Sequence, residues 1–393
     1  MDVTADQLAR SVADLVRIPS VNPLQQGPVA GEHGSDGERA VAEHLADRFE
    51  TLGASEVVLH DVLDGRPNVY GIFPGRTDRL VVLDVHTDTV TVEHMTDPPF
   101  DGRIEDGHVW GRGALDTKAS LGVITALLES WQRSSIKPEP TLMVVGSIGE
   151  EAGGLVGATH FRPWAEERGL VIDQMIVSEP TELAPIHGHK GGVALRITAV
   201  GQSAHSSQPH LGRNAIQAIA PVIAAFEAEH ARLQTLEPST ELGNATVSVT
   251  MIEGGTGGNV IPAHCSIVVG CRTVPEEDAE LVYERLASIA RDTCPLPVEI
   301  ESAFGVGPDG KVGSQAFYQS ADSPLVRQLA GWAGTSPKVA PFGTNALRYT
   351  GFVGEMVVFG PGSIDAAHGA TECVSVDELV TTAEVFTHWL APG

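Results

Sequence analysis

The first half of the chain alternates between two spacings of apolar residues. Over residues 36–52, Val41, Leu45, Phe49 and Leu52 recur every three or four positions, which predicts an amphipathic helix, and Gly53 stands where such a helix commonly stops. Short apolar runs rich in β-branched residues follow at 55–59, 68–73, 80–85, 141–148 and 174–178. Each is bounded by Gly, Pro or charge, so each predicts a strand. A second helical spacing at 118–132 carries Leu121, Ile124, Leu127 and Leu128. Strands apolar throughout, alternating with helices, predict an α/β sheet buried on both faces.

Near Pro185 the pattern changes. Residues 191–200 and 245–252 alternate apolar with polar, a third strand follows at 266–272, and helices at 214–233 and 276–291 connect them. Three strands with two crossing helices predict a small α+β insertion. After Gly310 the first pattern returns, with a helix at 324–332, a strand at 356–360 and a helix at 377–390. The expected organisation is an α/β domain of residues 1–186 and 304–393, interrupted by an inserted α+β domain at 187–303.

Composition narrows the classes. The 51 acidic and 25 basic residues leave a net charge of −26, which excludes a nucleic-acid binder and repels an anionic membrane surface. A hydrophobic content of 42% excludes general disorder. No apolar run approaches the roughly 18 residues of a spanning helix, and the opening MDVTADQLARS is acidic rather than signal-like. Cys265, Cys271, Cys294 and Cys373 show no C-x-x-C spacing, as expected of buried residues in a reducing, cytoplasmic compartment.

Chemistry collects where the predicted strands end. The run at 80–85 leads into His86 and Asp88, that at 141–148 into Glu150 and Glu151, that at 174–178 into Glu179, and that at 356–360, after a loop, into His368. Ligands of an α/β sheet bind beyond the carboxyl ends of its strands, so these side chains are expected to converge. Asp116, the lone acid of the loop WGRGALDTK, is a further candidate. Imidazoles with carboxylates suit Zn²⁺ or a similar ion, and the surplus over three ligands points to two metals with Asp116 as the bridge. Glu150 and Glu151 are adjacent and cannot both point the same way, so one is expected on metal and the other free to handle protons. Asp88 shares a strand face with His86 and is placed to accept its second ring N–H. Each feature alone is ordinary: a strand-end His is usually structural, and a Glu-Glu pair is usually a solvated turn.

Seven stretches together resemble the acetylornithine deacetylase and succinyl-diaminopimelate desuccinylase family of dinuclear zinc amidohydrolases, which includes aminoacylases and glutamate carboxypeptidases. They are VHTDTV (85–90), GRGALDTKASL (111–121), GEEAGG (149–154), SEPTELAPIHGHKG (178–191), GQSAHSSQPHLGRNAI (201–216), GGNVIP (257–262) and FGPGSIDAAH (359–368). Within the family the chain is most similar to the acetylornithine deacetylase branch, through EPT at 179–181 and GPGSIDAAH near the end.

The resemblance implies a zinc-exopeptidase-like catalytic domain, with a mixed sheet flanked by helices, and an inserted α+β dimerisation and lid domain through which a homodimer forms. It implies two divalent ions, Zn²⁺ first and Co²⁺ as an alternative, one held by His86, Asp116 and Glu179 and the other by Asp116, Glu151 and His368. Glu150 is then the general base, Asp88 the orienting partner of His86, and the Asp116–Thr117 peptide bond is expected to be cis. His205, in the SAHSS turn, is expected to enter the partner subunit's active site and to help hold the oxyanion. Arg272, at the end of its strand, could clamp a carboxylate, and Asn259, in the glycine-rich loop GGTGGN, could bind substrate; an ordinary surface arginine and a turn asparagine are equally simple readings. One departure stands out: relatives carry an acid after a threonine in a segment lining the substrate pocket, and here FGTNALRY places Asn345. That would remove a charge expected to meet a cationic substrate group.

The leading expectation is a deacylase of an N-acyl amino acid, N-acetylornithine or a close analogue. A dipeptidase or carboxypeptidase would use the same site, and a catalytically silent dimeric binding protein would have no use for a free Glu150.

Overall fold

The computed structural model describes residues 3–25, 37–63, 65–152, 154–303 and 310–391. Its internal contacts divide the chain into two units, one of residues 1–187, 319–338 and 344–393 and the other of residues 188–318 and 339–343.

In the first unit the apolar runs become a mixed sheet in the order Glu56–Leu63, Arg66–Phe73, Thr141–Ser147, Leu80–His86, Gln174–Val177, Glu355–Val358. Glu56–Leu63, Arg66–Phe73 and Thr141–Ser147 pair antiparallel, whereas Thr141–Ser147, Leu80–His86, Gln174–Val177 and Glu355–Val358 run parallel. All seven residues of Leu80–His86 are buried, as expected of a parallel strand covered on both faces. Four parallel strands therefore end at one edge; His86 is the last residue of one, Glu150, Glu151 and Glu179 follow two others closely, and His368 comes after the fourth by a loop.

Helices Gly37–Thr51, Lys118–Arg133 and Val376–Leu390 answer the predicted spacings, and Val41, Leu45, Phe49, Leu121, Ile124 and Phe386 join Leu83 and Val85 in one core. Helix Ala5–Val16 had no counterpart in the periodicity reading, although its start is marked. Thr4 Oγ1 accepts from Gln7 N at 3.3 Å while Gln7 Oε1 accepts from Thr4 N at 2.9 Å, a reciprocal cap of the T-x-x-Q type. Three short strands, Arg103–Glu105, His108–Trp110 and Cys373–Ser375, form a small antiparallel sheet that the hydrophobic pattern did not reveal.

The second unit is an antiparallel sheet in the order Thr246–Gly254, His264–Arg272, Val193–Val200, Val298–Ser302, with helices Ala215–Gln234 and Ala279–Thr293 packed on it. Leu195, Ile197, Ile219, Phe226, Ile267 and Leu286 build its separate core. Val298–Ser302 is a fourth strand beyond the three predicted. Its sequence VEIES places partly buried residues between exposed glutamates, which suits an edge.

Candidate metal centre

His86 is the last residue of its buried strand, and Nδ1 donates to the backbone carbonyl of Asp88 at 2.9 Å. A carbonyl only accepts, so Nδ1 carries the proton and Nε2 faces inward. The Asp88 carboxylate is not that partner: its Oδ1 lies 3.7 Å from Nδ1. Its oxygens accept instead from Glu150 N and Glu151 N, both at 3.1 Å, and from Asn22 Nδ2 at 2.8 Å. Asp88 thus holds the turn that carries the two glutamates, and the backbone orients the imidazole. The expected pairing differs because the Asp88 carboxylate faces the three N–H donors of the glutamate turn and Asn22, while its own backbone carbonyl lies within reach of Nδ1.

Asp116 divides its oxygens. Oδ1 lies 2.9 Å from His86 Nε2 and Oδ2 lies 3.3 Å from His368 Nε2. Glu179 Oε2 is 4.0 Å from His86 Nε2, and Glu151 Oε2 is 3.1 Å from His368 Nε2. Ligand atoms of His86, Asp116 and Glu179 fall within 4.8 Å of one another, and so do those of Asp116, Glu151 and His368. The peptide bond between Asp116 and Thr117 is cis. The His368 side chain is 51% exposed whereas those of His86, Asp116, Glu151 and Glu179 are buried, so the cluster opens on the His368 side.

The electrostatics are those of crowded, buried acids. Burial pushes Glu150 up to about 8, with Glu151, Asp88 and Asp116 adding to the effect and His86 opposing it. Burial, reinforced by Glu150, also holds Glu179 well above the carboxylate range. For His86, burial alone would depress the imidazolium, but Asp116, Glu179 and Glu150 outweigh it and hold it high. Hydrogen bonds to Asp116 and Glu151 bring His368 up to about 10. For Asp116, burial is overcome by the two imidazoles, which keep it well below the usual range. Glu179 Oε1 is buried with no hydrogen-bond partner, a costly state for a carboxylate oxygen. Imidazole and carboxylate donors at these separations, with one oxygen unsatisfied, fit divalent cations.

Asn345 does not line this cluster. It is buried, and Nδ2 donates to Asp84 Oδ2 at 3.0 Å and to Ser147 Oγ at 2.9 Å. The amide nitrogen of Asn345 is thus committed to Asp84 and Ser147 within the fold. In the second unit His205 is exposed, with Nδ1 2.7 Å from Ser207 Oγ. Strand Ala204–His205 pairs with Val260–Ile261, and Ser206 N donates to Asn259 O at 2.9 Å, so the SAHSS turn and the glycine-rich loop are neighbours. Arg272 is exposed at its strand end, without a salt bridge or side-chain hydrogen bond among the described residues. The sequence reading missed Asn22, Arg112 and Glu372, polar residues buried beside the cluster. None carries a spacing signal, because their partners are mostly backbone groups.

Residues 187–296 match the peptidase dimerisation domain, and residues 68–209 match peptidase family M28. An acetylornithine deacetylase of Myxococcus xanthus is 34% identical over 292 residues, 73% of each chain. The chain belongs to the M20 peptidase family. A probable carboxypeptidase of Emericella nidulans is 29% identical over 93% of this chain and 84% of its own. The fold agrees with solved M20-type structures. An M20 family metallo-carboxypeptidase from Sulfolobus solfataricus superposes with a TM-score of 0.77 at 18% identity, covering 98% of both chains. The aminopeptidase PepT from Bacillus cereus does so at 0.74 and 19%, covering 99% of this chain and 98% of that one. As an M20 protein the chain is a hydrolase of amide bonds, of a metallopeptidase family, with a peptidase dimerisation domain inserted in the catalytic one. Among the described residues no helix is long and apolar enough to cross a membrane.

Proposed function

We propose that this M20 enzyme is a deacylase that hydrolyses the amide bond of an N-acyl amino acid, with N-acetylornithine or a close analogue as first substrate. The observation that carries the reading is the pair of ligand groups sharing Asp116 through separate oxygens, with Glu150 beside them and outside both groups. His86, Asp116 and Glu179 would hold one Zn²⁺ and Asp116, Glu151 and His368 the other, with Co²⁺ able to replace either. Such a pair polarises the amide carbonyl and makes water acidic enough to attack near neutral pH. Glu150 takes the proton from the attacking water and returns it to the leaving nitrogen as the C–N bond breaks. Asp88 and Asn22 hold the Glu150–Glu151 turn for that transfer. From the inserted domain, His205, Arg272 and Asn259 are assigned to substrate: Arg272 to a carboxylate by two-point contact, His205 to the oxyanion.

The 34% identity to an acetylornithine deacetylase supports this substrate class. A carboxypeptidase or dipeptidase is the second reading, favoured by the probable carboxypeptidases that match 93% of the chain. The inserted domain is assigned to a homodimer and, with four unpaired cysteines, the enzyme to a reducing cytoplasm.

Glu150→Gln should keep two metals per chain and lower kcat by about 100- to 10,000-fold. Chelation should abolish activity, and Zn²⁺ or Co²⁺ should restore it. A Glu150→Gln variant with full activity would refute the mechanism. Turnover of dipeptides but of no N-acyl amino acid in a substrate panel would hand the function to the second reading.

A further inference from the structure

Glu372 follows His368 and immediately precedes strand Cys373–Ser375, whose Cys373 stands opposite Trp110 in the small antiparallel sheet. That register sets Glu372 beside the loop leading to Asp116, and Gly111 N donates to Glu372 O at 2.9 Å. The side chain turns into the same loop. Its Oε1 accepts from Gly113 N at 2.9 Å, Leu115 N at 3.0 Å and Asp116 N at 3.1 Å, while Oε2 takes Arg112 Nη1 at 2.5 Å. The other terminal nitrogen of Arg112 donates to the carbonyls of Thr91 at 3.2 Å and Gly369 at 3.1 Å. Gly369 is the residue after His368. Both side chains of the ion pair are buried, at 2% and 0% exposure.

One carboxylate therefore fixes the backbone from which Asp116 projects and, through a single guanidinium, the segment that carries His368. A buried ion pair is by itself a weak argument for stability. Three backbone N–H groups gathered on one oxygen are a stronger argument for placement, because they define where a loop lies. We infer that Glu372 is a positioning residue which, through Arg112, sets the separation of Asp116 from His368 and so the cation affinity of the group they form with Glu151. His86 and Glu179 come from other strand ends, and neither hydrogen-bonds to Glu372 or Arg112 among the described residues. The inference rests on the two-cation reading above.

The test uses the full chain, stripped of metal and titrated with Co²⁺, read by calorimetry and visible absorption. The wild type should take up two equivalents. Glu372→Gln should weaken the second by about 10- to 100-fold and change its absorption band, leaving the first within a few-fold, as for a partner acting through a ligand. Its kcat should fall more than its KM rises. Arg112→Lys keeps a charge beside Glu372 but cannot span to Thr91 and Gly369, and should act in the same direction. Should Glu372→Gln leave the chain unfolded, Arg112→Lys carries the test alone. A wild type that binds no Co²⁺ sinks the two-cation reading. A wild type that binds two, with variants that bind both equivalents as tightly and with the same spectrum, overturns the role of Glu372. So do variants that lose both equivalents equally while melting earlier in the metal-free state.

Discussion

Asp88 and Asn345 show how position in sequence and role in space part company. Asp88 has the right spacing to orient His86, yet its oxygens are occupied by Asn22, Glu150 N and Glu151 N, and the imidazole leans on a carbonyl instead. Asn345 sits under the sheet edge as a donor to Asp84, whose carboxyl burial pushes up to about 6 despite help from Ser147 and Asn345. A third residue, His189, gives a prediction that does not involve the metal centre. It is fully buried with its ring edge-on to Phe317, centroids 5.4 Å apart, and burial depresses its imidazolium to about 4. The unfolded chain binds this proton near pH 6.5, the folded one only near 4, so the stabilising contribution is complete above 6.5 and is lost as pH falls towards 4. Between pH 7 and 4.5 the wild type should lose about 2–3 kcal/mol more stability than His189→Leu. Urea unfolding at the two pH values measures this, and equal losses would rule it out.

Elements are joined to the site by carboxylates that receive backbone N–H groups. Glu38, on helix Gly37–Thr51, accepts from Gly149 N at 3.1 Å; Asp88 takes the next two amides, and Glu372 takes three from the loop before Asp116. Loops rich in ligands cannot bury much apolar surface, so hydrogen bonds supply their rigidity. Helix packing supplies the frame beneath. On Lys118–Arg133, a Cβ added at Gly122 would lie 2.5 Å from Val12 Cγ2 and 2.8 Å from Val12 Cα and N, so this helix approaches Ala5–Val16 through backbone. Gly122→Ala gains about 1 kcal/mol of helix propensity but overpacks the contact by about 1–3 kcal/mol, and the backbone atoms cannot swing aside. The variant should melt several degrees lower; a higher melting temperature would mean that the two helices slide apart freely.

At the scale of the molecule, a net charge of −26 opposes association, so the proposed homodimer is expected to draw on apolar contact. Strand Thr246–Gly254 ends its sheet, and on it Met251 and Ile252 are 58% and 60% exposed. An apolar edge strand is a template for pairing, and under the proposed homodimer a second copy is its expected occupant. Ile252→Glu should convert a dimer to a monomer in light scattering, and added salt should tighten the wild-type dimer by screening the repulsion. A wild type that stays monomeric at high salt would reject the assignment.

The order of residues alone discloses the class of fold and most of the centre. Strand runs at 80–85, 141–148 and 174–178 are long, apolar and sharply bounded, and costly polar groups recurring after several of them point jointly to one site although each alone is ordinary. What a linear reading cannot reach are interactions whose partner is a backbone amide or a distant side chain. The burial of Asn345 against Asp84, the two backbone amides on Asp88 and the three on Glu372, and the small sheet that sets Glu372 beside Gly111 belong to this class. Spacing along a chain records which side chains share a face of one element. It does not record which carbonyl or amide of another element will face them, and that pairing arises only when the strands have taken their register.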